Sequence, residues 1–307
     1  MHEVLLKRIQ RKRSQMQVFL TQVLNGLQLS MLVYLLAAGL TLIFGLMNIL
    51  NLAHGAFFTL GAYCGVAVAS ATGSFWLALL LGPLLPLVLG SVLQSMLLQP
   101  LAERGRSTHL DLALLTFGLL FATAGAVEWL FGSAFLAVPT PPVLSGHVSL
   151  LGISYPVYRL FIICVGLAVA AGLTFVFDRT LLGATLRAGV DDRAMVTALG
   201  VNINALFAAV FGLGAALAGL AGVIAAPLTS VYSQMGITIV VETFVVVVVG
   251  GLGNLRGSFY ASLIVGMTNA MSQAYLPEVE MFAIYALLIA VMIVRPQGMF
   301  RNVERVA

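Results

Sequence analysis

From Ser14 to Ala102 the chain carries no Asp, Glu, Lys or Arg, a run of 89 residues; a second such run covers 48 residues, Ala194 to Val241. A single helix crosses a bilayer with ~20 apolar residues, so each run holds several crossings. Breaks at Gly, Pro and charged residues divide the chain into nine hydrophobic segments: 18–46, 55–71, 75–98, 110–131, 157–177, 203–226, 237–250, 258–273 and 281–295. The third holds Pro83 and Pro86, tolerable where neighbouring helices re-satisfy the freed backbone. The pattern predicts an all-α, polytopic transmembrane helix bundle of about 8–9 segments, in which 237–250 is short enough to cross or to dip in and return.

Composition agrees. Hydrophobic residues make up 61% of the 307 and charged ones 8%, with mean hydropathy +1.06. Soluble domains carry about 25% charge, so cytosolic enzymes, nucleic-acid binders and disordered chains are excluded. Cys64 and Cys164 lie in apolar segments and are expected to be buried free thiols. No cleaved signal peptide is expected after the basic first residues, because the apolar run simply continues.

Charge also sets the expected orientation. Residues 99–109, 178–202 and the tail hold most remaining Arg, so all three are expected in the cytoplasm. Loop 132–156 has no Lys or Arg, carries Pro139, Pro141 and Pro142, and is expected outside. The N-terminus conflicts with this scheme. Five crossings counted back from 178–202 put residue 18 outside, yet Lys7, Arg8, Arg11, Lys12 and Arg13 form the densest basic cluster. Splitting 18–53 into two crossings fails, since 36 helical residues span only ~54 Å. Either that stretch contains a re-entrant piece or the parity of the seventh segment is wrong.

Polar groups inside the apolar runs are the candidate chemistry. Asn48, Asn51 and His54 stand three apart, flanked by Gly45 and Gly55, and predict either interhelical hydrogen bonding or a helix break beside a solute route. Glu128 and Glu242 are carboxylates within apolar segments. A faint repeat pairs Gly45–Asn48 and His54–Phe58 with Gly251–Asn254 and Arg256–Tyr260, the pattern of duplicated halves with broken helices. Stretches around Gly61/Gly65, Gly212/Gly214 and Ala218 predict close helix packing. Loop 178–202 exceeds the ~5 residues of a plain connector and is helix-capable. Asp191 and Asp192 are expected to cap a short helix over 193–199 that Gly200 ends, suited to docking on a partner. No Walker phosphate loop, HExxH, Cys/His metal spacing or GxSxG elbow occurs, so no enzyme activity, cofactor or metal is expected.

Three motif groups resemble the LivH-type branched-chain amino acid ABC-transporter permeases, over about residues 18–300. They are Gly45–Gly61; Gly183, Arg187, Ala188, Asp191, Ala194 and Ala198–Asn202 with the helix to Gly222; and Val249–Gly253 with Gly257 and Arg295–Phe300. The resemblance implies one permease domain over 18–300, followed by a cytoplasmic tail 301–307; the basic segment 1–17 is longer than the family pattern. It implies an integral inner-membrane subunit of a bacterial importer working by alternating access. Its partners would be a second, LivM-like permease, two cytoplasmic ATPases that bind the ATP, and an external solute-binding protein. Gly183, Arg187, Asp191, Asp192, Ala194 and Gly200 would contact the ATPase; Asn48, Asn51, His54, Gly55, Glu242 and Asn254 would border the route. The importer's default solutes would be branched-chain or related amino acids, such as leucine, isoleucine and valine, with urea, short amides or other amino acids as the alternative. A stand-alone secondary transporter would need a coupling carboxylate pair or an ion site, and the carboxylates here stand singly.

Overall fold

The computed structural model describes residues 2–47, 51–103, 108–150 and 152–300. Each of the nine apolar segments folds as helix. Helix α1 is His2–Met47 and α2 is His54–Thr72. The third segment breaks at Gly82–Pro83 into α3 (Phe75–Leu81) and α4 (Leu84–Leu93), then continues through a π-helical turn, Gln94–Leu98, into α5 (Gln99–Glu103). Next come α6 (His109–Phe131), a hairpin of β1 (His147–Leu150) and β2 (Ile153–Pro156), and α7 (Val157–Arg179). An elbow of α8 (Leu181–Asp191) and α9 (Arg193–Ala198) leads to α10 (Ile203–Ala225), α11 (Met235–Gly250), α12 (Leu255–Tyr275) and α13 (Glu280–Val294). Among the described residues, six spans are long and apolar enough to cross a membrane by themselves, Phe75–Ala102 counted as one. α11 and α12 form a pair bent by 120°, and Phe282–Val294 is a shorter apolar helix.

Side-chain contacts fix the direction of each helix. Gln17 Nε2 donates to the Gly152 carbonyl (3.0 Å), Asn25 accepts from Tyr155 (3.3 Å) and from Arg159, and Gly166 packs on Met31. Leu42 meets Leu173, Leu186 and Val196. α1 and α7 therefore run parallel, from an end that carries the β-hairpin to an end that carries the α8–α9 elbow. Thus Gln17 shares its end with loop 132–156, as the count of crossings requires, and the seventh segment completes that parity. The basic cluster continues the same helix beyond that end.

Both long central helices are followed by a shorter helix, here termed a half-helix, that starts at mid-depth. After α1 reaches the elbow end, the chain turns back, and the His54 ring at the start of α2 sits 2.9 Å from the Leu36 carbonyl. Leu36 lies ~16 Å before the end of α1. After α10 reaches the hairpin end, residues 226–234 dip back, Val231 pairing with Leu136, and α11 starts with Gly236 against Gly55. α4 then packs against α10, and α12 packs against α1 through Ser258–Thr41 (2.6 Å) and Met267 over Gly26. Helices α1 to α6 and α10 to α13 are thus two units of opposite direction that exchange their third spans, with α7 and the elbow between them. The sequence repeat pairs the break after α1 with the 251–254 turn. The structure instead pairs it with 226–234, because the half-helices α2 and α11 are the equivalents.

Glycine makes these crossings possible. A Cβ on Gly214 would lie 2.8 Å from the Gly39 oxygen, and one on Gly55 or Gly236 would overlap the other's carbonyl. Gly61 lies against Gly219 in the same way, as the small-residue pattern predicts. The thiols differ from expectation: Cys64 is half-buried and Cys164 exposed, on the outer side of α7, because an apolar residue in a bilayer protein meets lipid as readily as core. Gly214→Leu is expected to destabilise by about 1–3 kcal/mol or more through overpacking, lowering the melting temperature of the detergent-purified protein. Gly125→Ala, where a Cβ meets nothing, is expected to be neutral or slightly stabilising in the same assay.

Candidate functional site

Asn51, His54 and Gly55 come together where α2 begins. Asn51 and His54 are both 0% exposed. Because the His54 Nε2 faces the Leu36 carbonyl, that nitrogen carries a proton and donates; Nδ1 has no partner. Among the described residues, neither polar side-chain atom of Asn51 has a partner. The Leu52 amide donates to Thr116 Oγ1 (3.1 Å), which ties the break to α6. No side chain caps the start of α2, so its first turn adds the positive end of a helix dipole to this junction. Asn48 lies outside the described residues.

Glu242 stands elsewhere, half-buried on α11, near the level where Val240 packs with Ala56 and Leu120. Glu128 is exposed at the hairpin end of α6, where Ser233 Oγ donates to its carboxylate (3.3 Å). Asn254 sits at the elbow end with a structural task. Its Oδ1 accepts from the Gly257 amide (3.0 Å), capping α12, and its Nδ2 donates to the Phe300 carbonyl. Ser233, Gln234 and Thr238 are polar residues of the α11 approach that sequence reasoning missed. They were hidden because nothing in an isolated apolar stretch separates an exposed Thr from a helix-packing one.

The elbow is helical throughout, with α8 as well as the expected short helix. Gly183 and Gly189 are buried and let α8 press onto the Phe177 backbone and the Ile203 side chain, while Arg187 donates to the Phe177 carbonyl. Asp192 Oδ1 caps α9 by accepting from the Met195 amide (2.9 Å). Asp191 does not cap; it is the last residue of α8, because α8 runs up to the cap residue of α9. Gly200 closes the elbow with φ +86°, a left-handed conformation that suits glycine. Arg193 reaches Asn204 and lies 5.7 Å from the centre of the Phe207 ring, fixing α9 to α10. Ala194, Thr197 and residues 200–204 line an open groove of about 760 Å³. Beside it Leu181 is 86% exposed, Leu199 78% and Met195 64%, beyond the ends of the spans.

Residues 22–292 match the family described as branched-chain amino acid transport system permease components. The chain belongs to this family. It is 28% identical over 302 residues to the high-affinity branched-chain amino acid permease LivH of Escherichia coli K12, covering 93% of this chain and 96% of LivH. It is also 28% identical over 302 residues to the permease BraD of Pseudomonas aeruginosa, covering 93% and 97%. Among solved structures, PsaBC from Streptococcus pneumoniae in complex with Fab aligns with a TM-score of 0.48 at 14% identity, over 89% of this chain and 91% of that one. The chain is thus a multi-pass membrane permease subunit of a transport system.

An unpartnered buried amide costs about 1–3 kcal/mol. Asn51→Leu, close in volume and without polar atoms, is therefore expected to raise the melting temperature of the purified protein by several degrees. A lowered melting temperature would mean that the amide is paired.

Proposed function

We propose that this permease is the membrane subunit of an ATP-driven importer that takes amino acids with apolar side chains across the bacterial inner membrane by alternating access. The elbow end faces the cytoplasm and the hairpin end faces outward. Two ATPases dock on the α8–α9 elbow, a solute-binding protein docks at the hairpin end, and a second permease of the same fold completes the route. The single observation that carries this reading is the elbow itself. It presents exposed Leu181, Met195 and Leu199 outside the bilayer depth, yet Gly189–Ile203 and Arg193–Asn204 couple it rigidly to α10. α10 in turn carries the glycine crossings on α1 and α2, so a push on α9 reaches both of those helices through packed backbone.

The solute class rests on the relatives' names and on the near absence of charge along the central helices. Asn51, His54 and Gly55 form the packed junction on which the two units move; Glu242 borders the route itself. Asn254 anchors the 251–254 turn to the C-terminal segment, so its effect on transport runs through that turn.

Leu199→Asp is expected to abolish nucleotide-driven uptake and ATPase co-purification while the amount of inserted permease stays unchanged. Val143→Asp, equally exposed but at the hairpin end, is expected to retain ATPase capture. Normal ATPase capture by Leu199→Asp would overturn the docking assignment.

A further inference from the structure

α11 is closely surrounded: α1, α2, α6, α12 and α13 all pack on it. One strip of it stays open. Gln234, Thr238 and Glu242, spaced four apart and so aligned along one side, are exposed, exposed and half-buried in turn, with Val241 beside them. Open strips on other helices are apolar, such as Leu84, Val88 and Val92 on α4, or Leu110, Leu114, Phe117 and Phe121 on α6. Those suit lipid. A strip with an amide, a hydroxyl and a carboxylate at mid-depth does not, because polar and charged groups in the membrane face a bundle interior or a wet cavity.

Glu242 has no hydrogen-bond or ion-pair partner among the described residues, whereas Glu128 is engaged by Ser233 near the outer mouth. Of the helices packed on α11, α2, α6 and α13 contain no Lys or Arg, and those of α1 (residues 7–13) and α12 (Arg256) lie at the helix ends. The formal charge at mid-depth along this wall is therefore negative and uncompensated by the chain.

We propose that Glu242 is a charge filter in the transport route: its carboxylate receives the ammonium end of a passing amino acid and turns away net anions, dicarboxylic amino acids included. Thr238 and Gln234 continue the strip as neutral hydrogen-bonding steps toward the hairpin end. This rests on the reading of the chain as an importer permease whose route runs along α11. It adds the charge class of the solute, which an apolar route alone leaves open. Without the filter, no charged group along this strip tells an ammonium from an added carboxylate; with it, the cationic group enters first and the negative potential is locally neutralised.

The test uses the complete transporter, co-expressed with its ATPases, second permease and binding protein, with Cys64→Ala and Cys164→Ala replacing the native thiols. Thr238→Cys is introduced, and its modification by a trimethylammonium and a sulfonate methanethiosulfonate is timed during ATP turnover, each rate normalised to a free thiol. Thr238 is one helical turn from Glu242, so the normalised cation-to-anion ratio is expected to fall at least about tenfold when Glu242→Gln is added. Glu242→Asp is expected to keep most of the ratio, which separates charge from fold. An unchanged ratio overturns the filter and leaves the route along α11 intact. Failure of both reagents to react overturns the route reading, and the filter with it. Gln234→Cys, outside the helix core, repeats the measurement if Thr238→Cys does not insert.

Discussion

Backbone-to-backbone contact at glycine is the constraint on which this molecule depends. In lipid no hydrophobic force drives one apolar helix onto another, so association rests on close packing and on hydrogen bonds. Gly39 on Gly214 brings α1 against α10, Gly55 on Gly236 brings the starts of the two half-helices together, and Gly61 on Gly219 lays α2 along α10. Each is a place where one methyl group would hold the helices apart. The same contacts join the two oppositely directed units, so the packing that holds the fold together is also the surface on which the units would move.

Polar groups are distributed to match. Serine and threonine hydroxyls in the spans are largely absorbed by backbone carbonyls one turn earlier or by a facing hydroxyl, as with Thr243 to Ile239 (2.8 Å) or Thr41 with Ser258 (2.6 Å). Among the described residues the buried Tyr63 hydroxyl on α2 has no partner, and neither do three groups at special positions: the Asn51 amide, the Nδ1 of His54 and the Gln94 amide. All three lie at irregular backbone: the break before α2 or the π-helical turn. Unmet hydrogen-bonding capacity at such places destabilises one packing and lowers the cost of exchanging it for another. Charge, Glu242 apart, is placed at the rims. Asp178 pairs with Arg256 at the elbow end, and Glu128 meets Ser233 at the hairpin end.

The elbow shows how few residues build a rigid lever outside a membrane. Thr180 caps α8, Asp192 caps α9 and Asn202 caps α10, so three successive helices start without an unsatisfied first turn. Two buried glycines and Leu186 pin α8 to the ends of its neighbours, while leucine and methionine side chains stay on the open side. An exposed apolar surface beyond the spans is costly in water and makes sense where another protein covers it.

Sequence by itself determined the class of protein, the nine apolar segments, the short capped helix before Gly200 and the polar character of the stretch from Asn48 to Gly55. These are local properties: lipid demands apolar length, and caps and breaks announce themselves within a few residues. Tertiary structure decided that α1 with α2 corresponds to α10 with α11 and that Asn254 is a cap. It also decided that Asp191 ends a helix instead of starting one, and that one side of α11 is open around Glu242. Helices apolar all round carry no periodic mark of which side meets lipid, a neighbour or a lumen. That choice belongs to the partners across each crossing, and those lie far away along the chain.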